Sequence, residues 1–116
     1  MNNFIIYHNP KCSKSRQTLQ LLKDKGCEPK IFLYLEEELS PSMIEAMLLK
    51  LNMEPRELLR KGEEHYKSNG LSNDSLTRQE IIGAMVKYPK LIERPVVIKD
   101  NRAIIGRPPE NVLELM

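Results

Sequence analysis

The sequence predicts an α/β fold with one mixed β-sheet, and three observations support this prediction. The chain opens in the order strand, helix, strand, which favours a right-handed βαβ unit with parallel strands. It closes with a β-hairpin and a short helix. Helical periodicity occupies the middle, roughly residues 40–90. The order βαβ, helical insert, ββα therefore describes a single domain over residues 1–116.

The first elements are short and sharply bounded. Residues 4–7 form an apolar run that His8-Asn9-Pro10 stops, which is typical of a buried strand. Residues 13–25 carry leucines on one side of a helix, and Gly26 supplies the glycine that commonly follows a helix end. Residues 30–35 indicate a second strand.

The middle of the chain predicts three helices. Ser40-Pro41 places a capping residue before a proline at the first helical position. A second helical stretch is expected from about Pro55 through Tyr66, ending near Asn69-Gly70. Residues 77–80, Thr-Arg-Gln-Glu, fit a capping box that opens a third helix.

The last part of the chain returns to strand periodicity. Residues 95–98 and 103–105 are apolar and flank Asp100-Asn101, a pattern that indicates a β-hairpin. Residues 108–115 then predict a final short helix, started by two prolines.

Composition narrows the possible functions. The chain has 116 residues, of which 41% are hydrophobic and 29% charged, as in an ordinary globular domain. A net charge of +2 is too small to indicate a nucleic-acid or membrane surface. No segment approaches the roughly 20 apolar residues of a membrane span, and no signal-peptide pattern is visible. We therefore expect a cytoplasmic protein whose two cysteines are not a disulfide framework.

Cys12 is the strongest candidate for chemistry. It lies where a strand gives way to a helix, and there free backbone N–H groups and the helix dipole stabilise an anion. Residues 8–16 contain basic side chains and no acid. The hydroxyls of Ser13 and Ser15 can donate hydrogen bonds to sulfur. These features favour a reactive thiolate over a small residue that merely fills a turn.

The second cysteine, Cys27, is expected to stay apart from Cys12. It follows the opposite end of the same predicted helix, so about 18 Å separates the two sulfurs, whereas disulfide partners have Cα atoms about 4.4–6.8 Å apart. An outside thiol must then complete any redox cycle.

Other polar residues are more ambiguous. His8 could orient or protonate groups near the sulfur, or simply end a strand. Composition does not distinguish three arginines, Arg60, Arg94 and Arg107, from ordinary solvated surface arginines. Arg94 and Arg107, however, each directly precede a proline, which holds them extended at the ends of predicted elements.

Three ordered blocks of sequence resemble the ArsC family of glutaredoxin-linked arsenate reductases, and its YfgD-like branch of short bacterial members in particular. The first is residues 7–19, Tyr-His-Asn-Pro-Lys-Cys-Ser-Lys-Ser-Arg-Gln-Thr-Leu. The others are residues 93–96, Glu-Arg-Pro-Val, and residues 105–109, Ile-Gly-Arg-Pro-Pro. Together they extend the resemblance over nearly the whole chain.

The resemblance implies a thioredoxin/glutaredoxin-like fold with a helical insertion. It implies reduction of arsenate to arsenite, with no bound cofactor or metal, glutathione as co-substrate and glutaredoxin as partner. The site residues it implies are the nucleophile Cys12, His8 and Ser15 as supports of the thiolate, Arg60, Arg94 and Arg107 as an oxyanion clamp, and Pro95 as a cis-proline facing the loop.

Two other functions remain open at this point. The first is a glutathione-dependent thiol oxidoreductase without an arsenic substrate. Such an enzyme would need Cys12 and Pro95, but it gives no reason for arginines at both 94 and 107. The second is a regulator of the Spx type, which shares the fold and contacts RNA polymerase. Many Spx-type proteins carry a Cys-x-x-Cys switch, whereas this chain has Ser15 at the fourth position.

Overall fold

The computed structural model describes residues 3–116 and divides them into two compact units. The first unit contains residues 3–38 and 94–116. The second, Leu39–Glu93, is inserted between these two segments in sequence. Within the described range, no helix is both long enough and apolar enough to span a membrane.

A four-stranded mixed sheet forms the first unit. Its strands are β1 (Phe4–Tyr7), β2 (Lys30–Phe32), β3 (Val96–Lys99) and β4 (Arg102–Ile105), arranged in the order β2-β1-β3-β4. Strand β1 is parallel to β2 and antiparallel to β3, and β4 is antiparallel to β3. The predicted mixed sheet, parallel βαβ unit and hairpin are therefore confirmed.

One face of this sheet is covered by helices. Helix α1 (Ser13–Asp24) packs against a short 3₁₀ helix, Pro109–Leu115, which also contacts β4. Gly26 follows α1 with φ of +84°, a left-handed conformation that favours glycine. The buried residues of this core are Phe4, Ile6, Leu22, Cys27, Val97, Val112 and Leu115.

The second unit is helical, and its caps explain where the helices begin. The Ser40 hydroxyl accepts the Met43 N–H at 3.2 Å at the start of α2 (Pro41–Leu51). Thr77 and Glu80 form the predicted capping box of α5 (Arg78–Lys87), with reciprocal bonds of 3.2 and 2.9 Å. Helix α5 packs against α2 and α3 (Pro55–Leu58).

The helical stretch predicted from about Pro55 through Tyr66 is interrupted, although its predicted end near Asn69-Gly70 is confirmed. Helix α3 ends at Leu58, and a separate helix α4 spans Glu64–Ser68. Between them Leu59 is extended and bridges Ile92, while the Arg60 N–H donates to the Leu91 carbonyl at 2.8 Å. Pairing with this distant segment replaces the helical bonds that local propensity favoured.

The end of the second strand also differs from the prediction. Strand β2 stops at Phe32 because the chain turns at Leu33, whose carbonyl accepts the N–H groups of Glu36 and Glu37. The Glu37 carboxylate in turn accepts the Leu33 N–H at 2.9 Å. The last helix adopts 3₁₀ geometry over Pro109–Leu115.

Gly106, which follows β4, is packed too closely for a side chain. A Cβ at this position would lie 2.6 Å from Thr18 Oγ1, 2.8 Å from Thr18 Cγ2 and 3.0 Å from Pro95 Cγ. The Gly106 N–H donates to the Pro95 carbonyl at 2.9 Å. Glycine therefore allows the segment after β4 to approach both α1 and the start of β3.

We expect Gly106→Ala to lower the free energy of unfolding by about 1–3 kcal/mol, because the added methyl overpacks this contact. Urea denaturation measures the change. Gly83→Ala is the matched control, because it adds the same methyl inside α5 with no heavy atom within 4 Å beyond its own stretch of helix backbone. It should raise stability by about 0.5–1 kcal/mol through helix propensity. Equal changes in the two variants would contradict the close-packing account.

Candidate active site

The register of the sheet brings three chain segments to one end of the first unit. Tyr7 is the Cα partner of Val96, and Val96 is also the partner of Ile105. The residues just beyond these pairs are His8, Pro95 and Gly106, so they leave the sheet at the same end. The loop before α1, the Arg94-Pro95 segment and the segment that carries Arg107 therefore meet there.

Cys12 is held at the N-cap position of α1 by a tight turn. Its N–H donates to the Asn9 carbonyl at 3.0 Å, and the Asn9 side-chain oxygen accepts the Lys11 N–H, also at 3.0 Å. The backbone of Cys12 is extended, and the residue is 9% exposed. Sequence reasoning did not single out Asn9, although an Asn-Pro pair after a strand is a turn signal.

Opposing influences set the pKa of Cys12. Burial, the largest single influence, raises this pKa because a charged sulfur loses hydration. The Ser15 N–H, the Arg94 guanidinium and the Lys14 N–H lower it by stabilising the anion. Together the donors prevail, and the pKa of Cys12 lies below that of an ordinary thiol. The site therefore stabilises the thiolate of Cys12, at the start of a helix, more than water stabilises that of an ordinary cysteine.

His8 and Ser15 form a buried pair behind this cysteine. His8 Nδ1 lies 2.6 Å from Ser15 Oγ, which also accepts the Asn9 N–H at 3.0 Å. The Ser15 hydroxyl is thus engaged with His8 and Asn9, and its backbone N–H, rather than its hydroxyl, is the group that lowers the pKa of Cys12. Sequence reasoning had directed the hydroxyl toward sulfur.

His8 is kept neutral by its surroundings. Burial lowers the pKa of His8, and the positive charges of Arg16 and Lys23 lower it further. The imidazole is therefore mostly uncharged at neutral pH. The neutral imidazole can share a hydrogen bond with Ser15 without burying a positive charge.

The two arginines before prolines occupy different environments in the first unit. Arg94 is half-buried and near enough to Cys12 for its guanidinium to lower the pKa of the thiol, whereas Arg107 is exposed just after Gly106. The Arg94–Pro95 peptide bond is cis, as the family resemblance implied for Pro95, and the Arg107–Pro108 bond is also cis. Of these two arginines, the structure thus places Arg94 where its charge acts on the sulfur.

Arg60 lies in the second unit and is engaged there. Its guanidinium donates to the Lys90 carbonyl at 3.1 Å and lies 3.5 Å from the Glu63 carboxylate. This salt bridge is partly exposed, so it contributes little to stability.

Cys27 has a packing role. Both cysteines are free thiols, and Cys27 is 2% exposed within the core under α1. Across residues 3–116, no cluster of three or more His, Cys, Asp or Glu side chains is suited to holding a metal ion.

Comparison with known proteins extends beyond the cysteine loop. Residues 7–115 match the sequence model of the ArsC family. The chain is 50% identical over 112 residues to YfgD of Escherichia coli (strain K12), which covers 96% of this chain and 94% of that one. It is 47% identical over 113 residues to a protein named arsenate reductase from Haemophilus influenzae, which covers 97% of both.

A solved structure agrees with these sequence matches. An arsenate reductase from Vibrio cholerae superposes with a TM-score of 0.95 at 44% identity, and the match covers 97% of both chains. This similarity confirms the predicted thioredoxin/glutaredoxin-like fold class. Because the matched residues run from the Cys12 loop through both arginine-proline segments, the chain belongs to the ArsC family.

Proposed function

We propose that this chain reduces arsenate to arsenite, with Cys12 as the nucleophile, glutathione as co-substrate and glutaredoxin as the protein that regenerates the thiol. The observation that supports this most directly is the ionisable sulfur of Cys12 beside the Arg94 guanidinium at a helix N-terminus. Relatives named arsenate reductase supply the choice of substrate.

The chemistry requires fixed positive charge. Arsenate is multiply charged at neutral pH, and its approach to a thiolate is opposed by repulsion that grows as water is excluded. Backbone N–H groups and a guanidinium stabilise both anions without having to reorganise during the reaction. The planar fork of arginine matches two oxygens of an oxyanion better than the single ammonium of lysine does.

In the first step, the Cys12 thiolate attacks arsenic, an S–As bond forms, and one As–O bond breaks. The departing hydroxide takes a proton and leaves as water. Glutathione then attaches its sulfur to arsenic, and a second oxygen leaves as water. The two sulfurs then couple into a mixed disulfide between Cys12 and glutathione, and both S–As bonds break. One electron pair stays on arsenic, which is reduced from As(V) to As(III), and the released As(III) species takes up one water to become arsenite.

An external thiol fits the placement of the two cysteines. Cys27 is buried beyond the far end of the 12-residue α1, so about 18 Å of helix separates it from Cys12. A glutaredoxin thiolate would attack the glutathione sulfur of the mixed disulfide and release Cys12 as a thiolate. Neither step needs a bound cofactor.

The remaining residues take supporting roles in this proposal. Arg94 and Arg107 would bind the arsenate oxygens, and Arg60 enters as a third oxyanion-binding residue from the family resemblance alone. His8 and Ser15 would hold the loop so that the Ser15 N–H stays directed at the sulfur, as their 2.6 Å contact suggests.

Replacing the nucleophile should abolish the reaction. We expect Cys12→Ser to show no arsenate-dependent NADPH oxidation in the presence of glutathione, glutaredoxin and glutathione reductase. A serine hydroxyl stays protonated at neutral pH and is therefore a poor nucleophile. Cys27→Ala is the matched control and should retain most of the wild-type rate.

Two results would contradict the proposal. Turnover by Cys12→Ser would remove Cys12 from the mechanism. A wild-type protein that shows no arsenate-dependent oxidation, while Cys12 still reacts readily with iodoacetamide, would reject arsenate as substrate and indicate another thiol exchange reaction.

The roles of Arg94 and Arg107 can be distinguished by experiment. Arg94→Ala should move the pH profile of Cys12 alkylation to higher pH, because removing a neighbouring cation raises the pKa of a thiol. It should also lower kcat/KM for arsenate about 100-fold. Arg107→Ala should raise KM for arsenate about tenfold and leave the alkylation profile in place.

Arg102→Ala is the control for both variants, since Arg102 is exposed on β4 and bonds the Glu114 carbonyl. It should match wild type in both assays. An alkylation profile that is unchanged in Arg94→Ala would contradict the assigned role of Arg94.

A further inference from the structure

Thr18 is a buried polar residue with no role in the reaction described above. Among the described residues, three polar or charged side chains are buried: His8, Ser15 and Thr18. The first two contact each other behind Cys12. Thr18 lies one turn further along α1 at 0% exposure, on the side that meets the segment after β4.

The Thr18 hydroxyl lies between two carbonyl oxygens. The one hydroxyl proton of Thr18 is shared between two acceptors, because Oγ1 lies 2.8 Å from the Lys14 carbonyl in its own helix and 3.2 Å from the Gly106 carbonyl. Its hydroxyl and methyl group also pack against the face of Gly106 where a Cβ would stand. One side chain thus supplies both a hydrogen bond and a close packing contact.

Both acceptors belong to parts of the site. The Lys14 N–H is one of the donors that stabilise the Cys12 thiolate. Gly106 directly precedes Arg107, and its N–H donates to the carbonyl of Pro95, the residue after Arg94. Thr18 therefore joins the first turn of α1 to the backbone between the two arginines of the proposed clamp.

We propose that Thr18 is a positioning residue that fixes the backbone carrying Arg107 against the Cys12 end of α1, and so sets the oxyanion geometry of the site. This inference rests on the proposed function. Thr18 itself touches neither the sulfur nor the substrate. Its effect passes through Gly106 to Arg107.

Threonine suits this role better than its closest relatives. A β-branched side chain in a helix has few accessible χ1 rotamers, so the hydroxyl and the methyl group are held together in one orientation. Valine keeps the shape but removes the hydroxyl donor that the Lys14 and Gly106 carbonyls share. Serine keeps the donor and loses only the methyl contact. Comparing the valine and serine variants therefore separates the effect of the hydroxyl hydrogen bond from the effect of the methyl packing contact.

The test compares Thr18→Val with Thr18→Ser in arsenate turnover and in Cys12 alkylation. For Thr18→Val we expect KM for arsenate to rise about three- to tenfold, the size of a net hydrogen-bond contribution. Its kcat should change less than about twofold, and its alkylation pH profile should not move. Thr18→Ser should stay within about twofold of wild type.

Three results would overturn the proposal: an unchanged KM in Thr18→Val, an equal rise in Thr18→Ser, or an alkylation profile that shifts along with KM. An equal rise would mean that packing alone matters, and a shifted profile would mean that Thr18 acts on the thiolate. If Thr18→Val does not fold, Thr18→Ala carries the same comparison.

A second readout needs no substrate. Hydrogen exchange of the Gly106 amide, which bonds the Pro95 carbonyl, should be at least about threefold faster in Thr18→Val than in wild type. The Tyr88 amide, bonded to the Ala84 carbonyl in the second unit, is the control and should not change. Unchanged exchange of the Gly106 amide in Thr18→Val would overturn the positioning role, whether or not the wild-type protein reduces arsenate. A wild-type protein that is inactive on arsenate would instead contradict the proposed function.

Discussion

The site depends on a balance at one atom, the sulfur of Cys12. Burial disfavours its charge, and the N–H groups at the start of α1 together with the Arg94 guanidinium favour it. The donors act only if the helix begins at residue 13 and the loop before it stays closed. The turn at Asn9 and the pairing of Ser15 with His8 therefore matter because they fix where those donors point.

The register of the sheet determines which distant residues lie near the Cys12 loop. Arg94 is 82 residues from Cys12 in sequence, yet antiparallel pairing of β1 with β3 brings its segment to the strand end that leads into the cysteine loop. The adjacent β3–β4 pairing delivers Gly106 and Arg107 to the same end. Because Gly106 has no side chain, these segments can pack directly against α1. A small sheet thus gathers the candidate site from three short stretches of chain.

The sequence was informative wherever a local pattern determined the structure. Short apolar runs, capping residues and turn residues predicted the order of helices and strands along the chain, the parallel βαβ unit and the starts of α2 and α5. Residues 55–66 were misassigned because Leu58 and Leu59 fit a helix locally, and only the distant partner Ile92 makes Leu59 extended. Cys12 and Arg94 were accessible from motif and position. The partners chosen by Ser15 and Thr18 were not, since each hydroxyl had several acceptors or donors that only the folded chain distinguishes.

The ionisation of Cys12 is the most direct measurement of this account. In a Cys27→Ala background, titration of the thiolate by its ultraviolet absorbance would give the Cys12 midpoint in the folded protein and in urea. The account predicts a lower midpoint in the folded protein, because the N–H donors and Arg94 outweigh burial. A folded midpoint equal to or above the urea value would mean that burial prevails, and the thiolate could then not be the basis of the site.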